Sequence, residues 1–207
     1  MNNWINEAVF YHVYPLGFCG APQFNDNGGT VNRIKKVIDW IPHLKNLSIN
    51  AIYFGPIFES SEHGYDTKDY LEIDRRLGTK VDFQEVCKAL HENDIRIVLD
   101  GVFNHVGREF WAFEDVKQNG KNSKYCNWFV NLNFDSRSPM GDEFNYQSWN
   151  GCYDLVKLNL KNQEVLDHLL YAVGAWIDEF DIDGLRLDAA DSIDFEFFKI
   201  LKKIHRS

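Results

Sequence analysis

The sequence predicts an α/β fold in which parallel strands alternate with helices. Three observations carry that prediction. Four short runs rich in β-branched and aromatic residues recur along the chain, and apolar residues at helical spacing follow each of them. The runs are almost continuously apolar, as strands covered on both faces are. The composition can also bury a core: hydrophobic residues make up 44% and aromatics 15% of 207 residues, which excludes a disordered chain.

The elements follow in order. Ala8 to Tyr14 (AVFYHVY) reads as the first strand, stopped by Pro15. Ile34, Val37, Ile38, Ile41, Leu44 and Leu47 then recur at helical spacing, with Pro42 marking a kink or an early end. Ala51 to Phe58 (AIYFGPIF) is the second strand. Asp82 opens the next helix with Glu85 three residues on, a capping-box pattern, and Phe83, Val86, Cys87 and Leu90 form its buried stripe. Ile95 to Phe103 (IRIVLDGVF) is the third strand. Asn162 caps a helix whose inner face holds Val165, Leu166, Leu169, Val173, Trp176, Ile177 and Phe180. Gly184 to Ala189 is the fourth strand, and Phe195 to Ile204 the last helix.

Repeated strand–helix units mean βαβ crossovers in a parallel sheet. An open doubly wound sheet and a (β/α)8 barrel both satisfy this. The first strand is not followed by a glycine-rich phosphate loop, which weakens the nucleotide-binding form of the open sheet. One stretch, 106–156, breaks the alternation. It is too long for a plain connection and is crowded with aromatics, among them Phe110, Trp111, Phe113, Trp128, Tyr146 and Trp149. Most of these rings are expected to hold the excursion together, and the remainder to offer flat surfaces to sugars.

Charge and cysteine usage narrow the partners. Lys and Arg number 22 against 31 Asp and Glu, a net charge of -9, which argues against nucleic acid. No apolar run approaches the roughly 20 residues of a membrane span. The first residues carry no basic-then-apolar leader. Cys19, Cys87, Cys126 and Cys152 form no metal-like spacing. They read as reduced thiols of a cytoplasmic protein, with a Cys126–Cys152 bridge as the alternative.

Chemistry is expected at the carboxyl ends of the strands. In GLRLD, side chains alternate, so Arg186 and Asp188 share one face. An ionised carboxylate beside a guanidinium is what a covalent nucleophile needs; a structural ion pair is the bland alternative. The third strand ends in Asp100, Asn104 and His105 just as its apolar run stops. The second ends with Glu62-His63-Gly64-Tyr65-Asp66, where a glycine permits close approach and Tyr65 offers a ring.

With these segments in order, DGVFNH (100–105), GLRLDAAD (184–191) and HGYDTKDY (63–70), together with LVKLN (155–159) and FNHVGREFWAFEDV (103–116), the chain resembles the alpha-amylase family, glycoside hydrolase family 13. It is most similar to the group of neopullulanases, cyclomaltodextrinases and maltogenic amylases. The resemblance implies the first four βα units of a (β/α)8 barrel with an inserted domain B after the third strand. Its divisions are 1–105 (three strands, two helices), 106–156 (domain B) and 157–207 (third helix, fourth strand, fourth helix). It implies retaining hydrolysis of α-glucosidic bonds in maltooligosaccharides, cyclodextrins or starch-derived glucans. By the same resemblance Asp188 would be the nucleophile and Arg186 its holder, while Tyr65, Asp100 and His105 would bind substrate. Asn104 matches a position that holds calcium in some members, but this group often does without it, and no metal or cofactor is expected. The pattern also departs from the family. The general-acid glutamate belongs to a fifth strand, and a last aspartate and histidine follow the seventh; none lies within these 207 residues. A barrel needs roughly 250 residues, so the chain alone is expected to be inactive and to self-associate through open sheet edges. A non-catalytic carbohydrate-binding fragment is the rival expectation.

Overall fold

Four apolar runs assemble into one parallel sheet in chain order: β1 (Phe10–Val13), β2 (Ala51–Phe54), β5 (Arg96–Gly101) and β9 (Gly184–Leu187). A computed structural model describes residues 4–26 and 28–204. After β1 come a single helical turn, α1 (Pro15–Phe18), and α2 (Lys36–Asn46). After β2 come the antiparallel hairpin β3 (Phe58–Ser60) and β4 (Thr67–Ile73), then α3 (Lys80–His91). Between β5 and α5 (Gln163–Phe180) the chain builds β6 (His105–Gly107), α4 (Trp111–Asn119), β7 (Ser148–Trp149) and β8 (Cys152–Lys157). The short helix α6 (Phe195–Leu201) follows β9.

Strand alternation sorts side chains into two layers. Ile52 and Phe54 on β2, and Ile97 and Leu99 on β5, are fully buried on the helix-facing side. Phe54 meets Phe83 of α3 edge-on at 5.5 Å, and Phe83 meets Phe180 of α5 at 5.1 Å. The expected helical stripes are buried, apart from Ile38 and Ile177, which are partly covered, and Leu47, which lies just past the end of α2 and is half exposed. Pro42 does not end α2, which runs on to Asn46.

Two local expectations are corrected. The capping box of α3 starts at Thr79, not Asp82: Thr79 Oγ1 accepts from the Asp82 N–H, and Asp82 Oδ2 accepts from the Thr79 N–H. Asp82 is thus the third helical residue, and Thr-x-x-Asp does the work assigned to Asp-x-x-Glu. The excursion also has regular structure of its own. The strands β6, β8 and β7 form a three-stranded antiparallel sheet, and α4 buries Ala112, Phe113 and Val116. That short stripe is masked in the sequence by the aromatics on either side of it. All four cysteines are free thiols, so Cys126 and Cys152 are not bridged.

Candidate active site

The inner face of the sheet is polar at its carboxyl end because register places four polar side chains there. His12 pairs with Tyr53 across β1 and β2, and Asp100 pairs with Arg186 across β5 and β9. Asp100 is the hub. Its side chain is 0% exposed, its Oδ2 accepts from the Tyr53 hydroxyl at 2.8 Å, and both of its oxygens lie 3.0 Å from Arg186 Nη1. The same Nη1 donates to Asp188 Oδ1 at 2.7 Å. One guanidinium nitrogen therefore bridges two carboxylates. The other Asp188 oxygen, Oδ2, lies 4.0 Å from His105 Nε2.

The electrostatics follow from burial and these contacts. Burial pushes Asp100 up to about 6, against the opposing pull of the Tyr53 hydroxyl and Arg186. Arg186 is raised: its hydrogen bonds and charge pairing with the carboxylates outweigh the lowering effect of burial. Burial also pushes His105 down to about 4, although Asp188 pulls the other way, so its imidazole is neutral near pH 7. Asn104 Nδ2 lies 3.2 Å from His105 Nδ1; in this amide orientation it donates, which leaves the ring proton on Nε2. That Nε2 is buried with no hydrogen-bond partner, and so is Asn104 Oδ1. Trp149 of β7 stacks on His105 at 5.4 Å, so the excursion supplies the wall that holds the ring.

Tyr65 arrives by a different route from the one its sequence position suggests. The segment 62–66 is not the end of β2; it is the tip of the β3–β4 hairpin. The buried Asp66 carboxylate accepts from the backbone N–H groups of Glu62, His63 and Gly64, at 2.7, 3.1 and 3.0 Å. Gly64 sits at φ +92, and a Cβ there would press on Pro56, so the close approach expected of this glycine is real. Arg76 clamps the tip from behind. It is buried against Asp74 at 2.6 Å and donates to the carbonyls of Pro22, Gln23 and Glu62. Tyr65 then lies close enough to Asp100, Asp188 and Arg186 to feel all three charges.

All five residues singled out in the sequence therefore converge: Asp188 and Arg186, with Asp100, His105 and Tyr65 around them. Two neighbours were missed, Tyr53 and His12, whose rings stack at 4.4 Å. Their signal was the same alternation that paired Arg186 with Asp188, applied to β1 and β2. Elsewhere, a groove of ≈ 720 Å³ beside α3 and Trp111 is lined by charges already matched to one another, including Arg75 with Glu59 and Lys68 with Glu109. Among the described residues, no cluster of three or more His, Cys, Asp or Glu could hold a metal ion.

A parallel α/β sheet with a guanidinium-held carboxylate at its carboxyl end defines the class, and comparison with known proteins defines the family. The model of the alpha amylase catalytic domain matches residues 13–202, and the chain belongs to that family. It is 37% identical to the maltogenic alpha-amylase of Bacillus acidopullulyticus over 97% of its own length and 36% of the relative's. It is 36% identical to the intracellular maltogenic amylase of Bacillus subtilis over the same shares. Among solved structures, cyclic alpha-maltosyl-(1→6)-maltose hydrolase from Arthrobacter globiformis, in complex with that cyclic sugar, superposes with a TM-score of 0.84 at 36% identity, covering 97% of this chain and 48% of that one. The chain thus spans little more than a third of the length of these curated relatives. No helix among the described residues is long and apolar enough to cross a membrane.

Proposed function

We propose that these residues form the nucleophile-bearing half of a retaining α-glucosidase barrel acting on maltooligosaccharides, cyclodextrins or related glucans. The observation that carries this reading is the asymmetric hold on Asp188: Arg186 occupies Oδ1, while Oδ2 takes no hydrogen bond from it and faces His105. A carboxylate held this way has one oxygen fixed and one available to attack an anomeric carbon. In the proposed reaction Oδ2 attacks as the glycosidic bond breaks. The leaving oxygen takes a proton from a carboxylic acid roughly 5–5.5 Å away, and water then releases the glycosyl group with retention. His105 Nε2–H, buried and unpartnered, is poised to donate to a sugar hydroxyl at the cleaved position. Tyr65 supplies a ring beneath that sugar, and Asp100 holds Arg186.

In this reading the acid lies outside residues 1–207, on a following strand. The strand order β1-β2-β5-β9, with the β6–β8 excursion inserted after β5, is read as a half barrel with its domain B at 106–156. Its open edges are expected to pair with the rest of a barrel or with a second copy. The four free thiols, and the name of the Bacillus subtilis relative, support a cytoplasmic setting. The test is a chimaera in which this chain replaces the matching part of the Bacillus acidopullulyticus enzyme. It should hydrolyse maltooligosaccharides or cyclodextrins, while the 207-residue chain alone should not. Robust turnover by the chain alone, or sugar binding without turnover in a folded chimaera, contradicts the reading; the second outcome marks a carbohydrate-binding fragment.

A further inference from the structure

We propose that Tyr53 is a positioning residue for Asp188: its hydroxyl keeps Asp100 charged, and only a charged Asp100 anchors the guanidinium that aims Asp188. The connection runs through three strands. Tyr53 on β2 donates to Asp100 on β5 at 2.8 Å, Asp100 receives Arg186 Nη1 from β9 at 3.0 Å, and that same nitrogen donates to Asp188 at 2.7 Å. Each contact takes part in the next, because one nitrogen serves both carboxylates.

The arrangement is poised. A carboxylate removed from water leans toward its neutral form, and burial does push Asp100 up, to about 6. A neutral Asp100 offers Arg186 no charge. Arg186 is 42% exposed, so it is free to turn to solvent and release Asp188. The Tyr53 hydroxyl opposes this by favouring the ionised carboxylate. Burial, reinforced by Asp100's charge, raises the phenol's own pKa, so Tyr53 remains a donor throughout. The charged and titratable groups acting on or with Asp100 are Tyr53 from β2, Tyr65 from the hairpin tip, and Arg186 and Asp188 from β9, with His12 from β1 stacked behind Tyr53. His12 is lowered by burial and by Arg186, and it stacks flat on Tyr53, so it contributes ring contact that fixes the phenol.

As a statement about catalysis this rests on the proposed glycosidase reading; the coupling of Tyr53, Asp100 and Arg186 does not. The experiment therefore reads the coupling in the 207-residue chain itself. The ¹³C-carboxyl signal of Asp100 and the ¹⁵N guanidinium signals of Arg186 are followed against pH in the wild type, Tyr53→Phe and Tyr70→Phe. Tyr70 also loses a buried hydroxyl bond, to the Val102 carbonyl, and serves as the control. The expected result is an Asp100 midpoint that rises by about one unit in Tyr53→Phe and stays put in Tyr70→Phe, with Arg186 reporting the same midpoint as Asp100 in each protein. An unmoved midpoint in Tyr53→Phe, or Arg186 signals that ignore the titration of Asp100, overturns the proposal. If Tyr53→Phe does not fold, His12→Leu, which loosens the phenol and keeps its hydroxyl, must give a smaller upward shift; no shift there overturns it equally. Failure of Asp188 to act as nucleophile in the chimaera would leave these titrations unchanged, so the two readings fail separately.

Discussion

Asp188 and His105 face each other across 4.0 Å with opposite constraints. The carboxylate is held at one oxygen, while the imidazole is buried, neutral and without a partner at Nε2. Replacing Asp188 by Asn in the chimaera keeps the shape and removes the nucleophile. Turnover should fall by roughly 10⁴-fold or more with sugar binding retained, as read by steady-state kinetics and calorimetry. His105 predicts a pH effect on stability. Its pKa is about 4 when folded against an ordinary 6.5, so below pH 6.5 the unfolded chain binds more protons and stability falls as the pH drops toward 4. Asp100 acts in the opposite sense: its folded value near 6 exceeds the ordinary 3.8, so its contribution falls as the pH rises across that window. His105→Gln removes only the histidine part. Urea unfolding at pH 7 and pH 4.5 should show the wild type losing more stability on acidification than the variant, by on the order of 2–3 kcal/mol. Equal losses would contradict the buried, neutral imidazole. At this scale the sequence was legible where polar residues interrupt apolar runs, which is how Asp188, Arg186, Asp100 and His105 stood out. Tyr53 and His12 lie inside the runs, and there an aromatic or imidazole ring reads as core until register shows which face it occupies.

The hairpin tip and the excursion show how elements deliver those residues. Asp66 gathers three backbone N–H groups, and the Asp74–Arg76 pair locks the base of the tip that carries Tyr65. Asp74→Ala leaves a buried guanidinium unpaired. It should cost about 3–5 kcal/mol, measured by chemical denaturation, and should loosen Tyr65, measured by its ring resonances. The capping box of α3 predicts a smaller effect: Thr79→Ala should lower stability by about 1 kcal/mol, while Glu85→Ala, at the position a shifted box would use, should not remove a cap. Gly107 lets the excursion dock on this tip, because a Cβ there would collide with the Asp66 backbone. The strands and long helices were legible because their periodicity is sustained. The excursion was not: its strands are two to six residues long and pair across β7–β8 and β6–β8 rather than alternating with helices.

Among the described residues, the parallel sheet has two open edges. β1 and β9 each pair on one side only, and Phe10 of β1 is 44% exposed in the company of the exposed Ile5 and Val9. Unpaired strand edges flanked by apolar side chains invite association. Sedimentation of the 207-residue chain should show mass rising with concentration, and a stable monomer would argue against the half-barrel reading. The inner face is open as well, which is why Arg186 can be exposed while Asp100, one strand inward, is not. The reading as a whole is tested most directly by trapping the nucleophile. The chimaera is incubated with a 5-fluoro-α-maltosyl fluoride, whose leaving group needs no acid, and its peptides are weighed. The expected result is a single glycosyl adduct on the peptide carrying Asp188, absent in Asp188→Asn. An adduct on any other carboxylate, or none where the Bacillus acidopullulyticus enzyme itself is labelled, would contradict the assignment.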